Sequence, residues 1–126
     1  MAKLIIHEFD PVIYPRKVWV IITGSETILR DNFKYDGGLR RAFDSSDAFV
    51  FGCQNKESLM NGVCVCFLKK SSMSVKNIAH ESVHIASQIF SDCNMTMGFE
   101  DGKDEHYAYL VGWIAECCEK VKLNKE

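Results

Sequence analysis

The sequence predicts one α+β domain in which a small, mostly antiparallel sheet packs against two C-terminal helices. Three observations carry this. Strand-like apolar runs with turns between them fill the first two thirds of the chain, and helix-period patterns fill the last third. The length of 126 residues suits a single domain over 1–126 with a real core, and is too short for two domains of ordinary size.

In chain order, residues 3–8 (KLIIHE) form a short candidate strand ahead of the turn-like FDPVIYP. Residues 17–23 (KVWVIIT) are almost continuously apolar and β-branched, the pattern of a strand buried on both faces, and Gly24 closes it. Ser25 can cap a short helix in which Leu29 and Phe33 are spaced to share a face. YDGGLRRAFDSSD has loop composition with room for a helical turn. AFVFGC (48–53) and GVCVCFLK (62–69) flank a polar connection and read as an antiparallel hairpin with a long loop. Ser72 or Ser74 caps the next helix, whose buried face is expected at Val75, Ile78, Ala79, Ser82, Ala86, Ile89 and Phe90, ending near Asp92. The last helix starts near Asp104 and buries a stripe of Tyr107, Leu110, Val111, Ile114, Cys118 and Val121.

Composition narrows the function. A net charge of -2 and a pI near 6.1 give no general attraction to phosphates, and YPRK and LRR are short basic clusters on a solvated surface, so no nucleic-acid partner is expected. No segment approaches the roughly 20 apolar residues that span a bilayer, and MAKLIIHEFD lacks the run of a secretory signal. The expectation is a cytoplasmic protein without a membrane partner; oligomeric state cannot be read. Cys64, Cys66, Cys117 and Cys118 sit inside apolar runs, which marks them as reduced core residues. A metal site built from those four is the lesser reading, because neither pair has knuckle spacing.

Chemistry concentrates in HESVH, residues 80–84. Residues four apart on a helix lie one turn above one another, so His80 and His84 can aim two imidazole nitrogens at one zinc ion. Glu81 is rotated toward the edge of that site, where it can act on a metal-activated water without being a ligand. Catalytic zinc takes a third protein ligand, and Glu105 at the start of the last helix is the favoured one, with Ala108 and Gly112 beside it as small residues that would allow close helix approach. His106 and Asp104 compete for that position, and Glu100 and Asp101 are more distant alternatives.

His80, Glu81 and His84, followed by Glu105 with Ala108, resemble the pattern of the glutamate zincin metallopeptidases. YPRKVWV, IAHESVHIA and EHYAYLVGWI are also similar to small metallopeptidase-like proteins encoded by bacteriophages and gut bacteria. The resemblance implies a minimal zincin-like fold, zinc ligands His80, His84 and Glu105, Glu81 as general base, and a strand before the active-site helix, GVCVCFLKK, that aligns an extended peptide along a sheet edge. A phage origin would put the protein in the host cytoplasm. The longer histidine zincin pattern is absent, since Ser87 and Phe90 stand where its glycine and third histidine would be, so Met95 and Met97 are packing or loop residues.

The expected function is hydrolysis of a peptide or protein substrate by zinc-activated water, with Glu81 moving the proton. A second electrophile is needed for the oxyanion, and Tyr109 and His106 are the favoured residues, Tyr107 being assigned to the apolar stripe. The competing classes are a non-catalytic zinc-stabilised structural or binding protein, such as a phage component, and a metal-free helix with two polar residues.

Overall fold

The apolar run at 17–22 has side chains to bury on both faces, and the fold gives it a layer on each. The computed structural model describes residues 4–125. Along the chain come β1 (His7–Phe9), β2 (Lys17–Ile22), α1 (Glu26–Asn32), β3 (Phe33–Lys34), α2 (Arg40–Ser45), β4 (Ala48–Asn55), β5 (Asn61–Phe67), a 3-10 turn at Lys70–Ser72, α3 (Val75–Asp92) and α4 (Glu105–Lys122). One sheet takes the order β1-β2-β5-β4-β3. Its pairs are antiparallel except β2 with β5, which run parallel with Val18 opposite Val63 and Val20 opposite Val65. The α+β class and the mostly antiparallel sheet are as the sequence predicts.

Side chains alternate across the sheet as strand geometry requires. Val18, Val20, Val63, Val65 and Phe67 face α3 and α4, where they meet Ile78, Ile85, Ile89, Leu110 and Ile114. Trp19, Ile21, Phe49, Phe51, Cys64 and Cys66 face the other way and are covered by Leu29 and Phe33, with Leu39 and Phe43 against them. All six cysteines are free. Cys64 and Cys66 are on one side of the sheet and Cys118 on the other, so the sheet itself separates the four-cysteine set.

Phe33, expected to share a helix face with Leu29, is instead the extended C-cap of α1 and opens β3; three further details differ from the sequence expectation. β1 pairs with β2 only at His7–Phe9, because the chain before it leaves the sheet edge with Ile5 exposed; Lys3 lies outside the described residues. In α3, Val75 in the opening turn and Ala79 are exposed, and Ile85 joins the buried stripe instead. Third, β5 is a central strand between β2 and β4, which is where its nearly unbroken apolar sequence belongs.

That third difference matters for function, because a central strand has no edge to offer. Beside the histidine helix, a free edge belongs to β4. It pairs with β5 along Ala48–Gln54, but β3 covers its outer side only at Gln54 and Asn55. Residues 48–53 therefore have an outer edge without a strand partner among the described residues. Across these residues, no helix is long and apolar enough to cross a membrane.

Candidate active site

α3 is a well-formed helix because its ends and its faces agree. Ser74 accepts the Asn77 N–H at 3.1 Å as N-cap, Ile78, Ser82, Ile85 and Ile89 bury one side, and the opposite side carries His80 and His84. The two imidazole Nε2 atoms stand 3.2 Å apart. Glu81, one residue round the helix, is 7% exposed, and its Oε2 is 4.0 Å from His80 Nε2. Burial pushes its carboxyl above the usual carboxylate range, against the pull of His80 and His84.

The histidines open on a groove of about 500 Å³ between α3 and β4. One wall is Ser46, Ala48, Phe49 and Val50; the other is the α3 row of His80, Glu81, His84, Ser87, Gln88 and Ser91. Gln88 reaches across toward Gly52, where an added Cβ would sit 3.8 Å from its amide. The free edge of β4 thus runs beside the histidine pair.

α4 meets α3 through Tyr107. Its hydroxyl donates to the Val83 carbonyl at 3.0 Å and lies 2.7 Å from Ser87 Oγ, while its ring packs edge-on against Phe90. The sequence assigned Tyr107 to the core; it is partly buried there, and its polar end reaches the turn that carries His84. Helical spacing could have pointed to Ser87, which is three residues past His84 and seven past His80 on one face.

Tyr107 also fixes where Glu105 stands. Two residues apart on a helix is about 200° of rotation, so with Tyr107 turned toward α3, Glu105 starts out turned away from it. Glu105, Ala108 and Gly112 are exposed, and a Cβ added at Gly112 would meet nothing. The close approach expected along that small-residue face is absent, because Tyr107, Leu110, Ile114 and Cys118 form the packing face instead. Among the described residues no three His, Cys, Asp or Glu side chains converge as a metal-holding group. Asp104 precedes α4 as its N-cap, Glu100 pairs with Lys103 at 3.0 Å, and Asp101 is an exposed loop residue.

His106 and Tyr109 line a different cavity, about 330 Å³, with Asp10, Val12, Ile13 and Trp113. Neither lines the histidine groove. Met97 packs against the core and Met95 borders a further cavity beside His106, in keeping with packing and loop roles.

No family model, curated protein or solved structure matches the chain. Two nitrogens bound to a tetrahedral zinc at about 2.0–2.1 Å stand about 3.3 Å apart. The observed 3.2 Å fits two ligands of such an ion, and it equally fits a hydrogen bond when one ring keeps its Nε2 proton. Beside the pair are a buried carboxylate and an open groove, the surroundings an open-sided metal site needs.

Proposed function

We propose that this protein is a zinc-dependent peptidase whose groove between α3 and β4 takes an extended segment of a peptide or protein. The observation that supports it is the conjunction of an imidazole pair at zinc-ligand spacing, a buried glutamate beside it, and a free strand edge along the same groove. His80 and His84 would hold the ion. Bound there, zinc would supply Lewis acidity toward a peptide carbonyl and toward water.

The rest falls to the chain. Glu81 takes the proton from the attacking water and delivers it to the departing amine, a role suited to a carboxyl held buried beside the pair. β4 offers backbone groups at 48–53 to align an added strand, the part the sequence reading gave to β5. Glu105, favoured from the sequence as third ligand, is exposed and begins α4 about 200° round the helix from Tyr107, so no role in holding the ion is assigned to it.

The test is zinc stoichiometry by elemental analysis on wild type, His84→Ala and Glu105→Ala, each checked for folding, followed by peptide digestion with Glu81→Gln as control. One zinc per chain, lost in His84→Ala, with cleavage abolished in Glu81→Gln, supports the peptidase. Loss in Glu105→Ala as well would return Glu105 to the ligand set. Zinc binding without any cleavage points to a structural zinc protein, and no zinc under reducing conditions with metal supplied ends the metal reading.

A further inference from the structure

The hydrogen bonds of β4 leave a row of backbone groups on its outer side. Asp47 accepts the Leu68 N–H at 3.0 Å and Asn55 donates to the Met60 carbonyl at 2.9 Å, at the two ends of the ladder between β4 and β5. Antiparallel pairs alternate, so the odd residues Phe49, Phe51 and Cys53 bond β5. Ala48, Val50 and Gly52 turn their N–H and C=O groups the other way, to the edge that β3 leaves uncovered. These outward groups have no backbone partner among the described residues.

Exposed sheet edges are commonly blunted by lysine, proline or a bulge. This one reads AFVFGC, with no charge and no proline, and its pairing with β5 runs in unbroken register. The row is also its own complement. Its three residues stand evenly two apart, and a two-fold axis normal to the sheet sets two copies of one strand antiparallel, N–H against C=O. The two α3 helices then lie on the same face of the joined sheet. α3 packs over both β4 and β5, so the helices stand about two strand spacings apart, or ~10 Å, the separation of packed helices. Beyond His84 the groove wall of α3 is Ser87, Gln88 and Ser91, which brings no like charges together.

We propose that a second copy of this chain occupies the edge: two molecules pair through β4, Ala48 to Gly52, into one continuous sheet. The consequence for the groove rests on the peptidase reading. The paired edge is the one that aligns substrate, so the dimer is the closed form and the single chain is the form that cleaves. One short edge and one helix row are far less than the roughly 20–30 residues a side of a stable interface, so the pairing responds to protein concentration.

The experiment uses the full chain with zinc under reducing conditions. Sedimentation equilibrium across a wide concentration range reads association, and residue-resolved amide exchange by NMR, dilute and concentrated, locates it. A reversible dimer is expected. Tenfold above its dissociation constant about a fifth of the chains remain single, so exchange at Ala48, Val50 and Gly52 and peptide cleavage per chain both fall about fivefold. The Phe49 and Phe51 amides, bonded to β5, should be protected at both concentrations. Val50→Pro removes one outward N–H and no bond to β5, and should stay a single chain; Val50→Ala keeps that N–H and should pair. The exchange measurement needs no variant and decides the case if Val50→Pro fails to fold.

A single chain at every concentration would overturn the inference, and so would a dimer whose Ala48, Val50 and Gly52 amides exchange as fast as in the dilute protein. Cleavage per chain that stays constant through the association would overturn the closing of the groove. Pairing with those amides protected, but no cleavage at any concentration beyond the Glu81→Gln background, would end the peptidase reading and leave the β4 dimer standing.

Discussion

The Tyr107 hydroxyl donates to the main-chain carbonyl of Val83 at 3.0 Å, tying the last helix to the residue just before His84. The same hydroxyl meets Ser87, so one side chain braces a whole turn of α3. Removing only the oxygen, as in Tyr107→Phe, should cost about 1 kcal/mol, the usual net worth of such a bond. Urea unfolding would register it as a lower midpoint with an unchanged slope. An unchanged midpoint would mean that water replaces the contact without loss.

Glu81→Gln keeps the shape of a buried side chain and removes its ability to take a proton. On the proposed peptidase function, the variant folds normally, still binds zinc through His80 and His84, and loses at least about a hundredfold in peptide cleavage, the scale of a missing general base. Retained cleavage would assign proton transfer to another group.

Gly62 begins the parallel pairing of β5 with β2, opposite Lys17. A Cβ there would run into the Lys17 carbonyl oxygen and stand 2.6 Å from the Trp19 ring, a fully buried side chain with no room to withdraw. Gly62→Ala should therefore destabilise the protein by about 3 kcal/mol, the upper range for overpacking. Thermal unfolding followed by circular dichroism would show it, and a change within error would mean that β2 and β5 can separate locally.

The buried thiols set an alkaline limit. Burial pushes the Cys66 and Cys118 thiols from the ordinary 9.0 up to about 12. Between those values the folded state keeps protons that the unfolded chain has released, so stability falls as pH rises. Each such thiol adds a slope of about 1.4 kcal/mol per pH unit in that window. Urea midpoints under reducing conditions should hold from pH 7 to 8.5 and drop at pH 10, less steeply in Cys118→Ala. A flat profile to pH 10 would show that these thiols do not stay protonated in the fold.

Much of the fold was legible because local signals and burial agree. Ser25 and Ser74 cap the helices they were expected to cap, accepting from Ile28 and Asn77, and the two apolar runs at 48–53 and 62–69 pair as the hairpin their spacing suggested. The run at 17–22 is buried on both faces as its composition requires. The strand expected at 3–8 shrinks to three residues because pairing depends on where β2 ends up, and no local pattern encodes that.

The candidate site divides in the same way. His80, Glu81 and His84 come together through helix periodicity alone, since four residues make one turn and no other element is needed. Glu105, His106, Tyr107 and Tyr109 span little more than one turn, and the sequence ranked them by helical direction and by the apolar stripe. Their true directions depend on how α4 is rotated against α3, and the packing of Tyr107, Leu110, Ile114 and Cys118 sets that rotation.

By itself, then, the sequence determined the α+β class, the caps, the buried strands and the histidine pair with its neighbouring glutamate, all consequences of spacing along one element. Only the tertiary structure decided that β4 and not β5 presents a free edge beside the histidine helix, that Tyr107 reaches the His84 turn while Tyr109 and His106 line another cavity, and that Glu105 begins α4 turned away from the pair. Those are relations between elements. Strand order and helix rotation are fixed by the joint packing of side chains far apart in the chain, and no local periodicity records them.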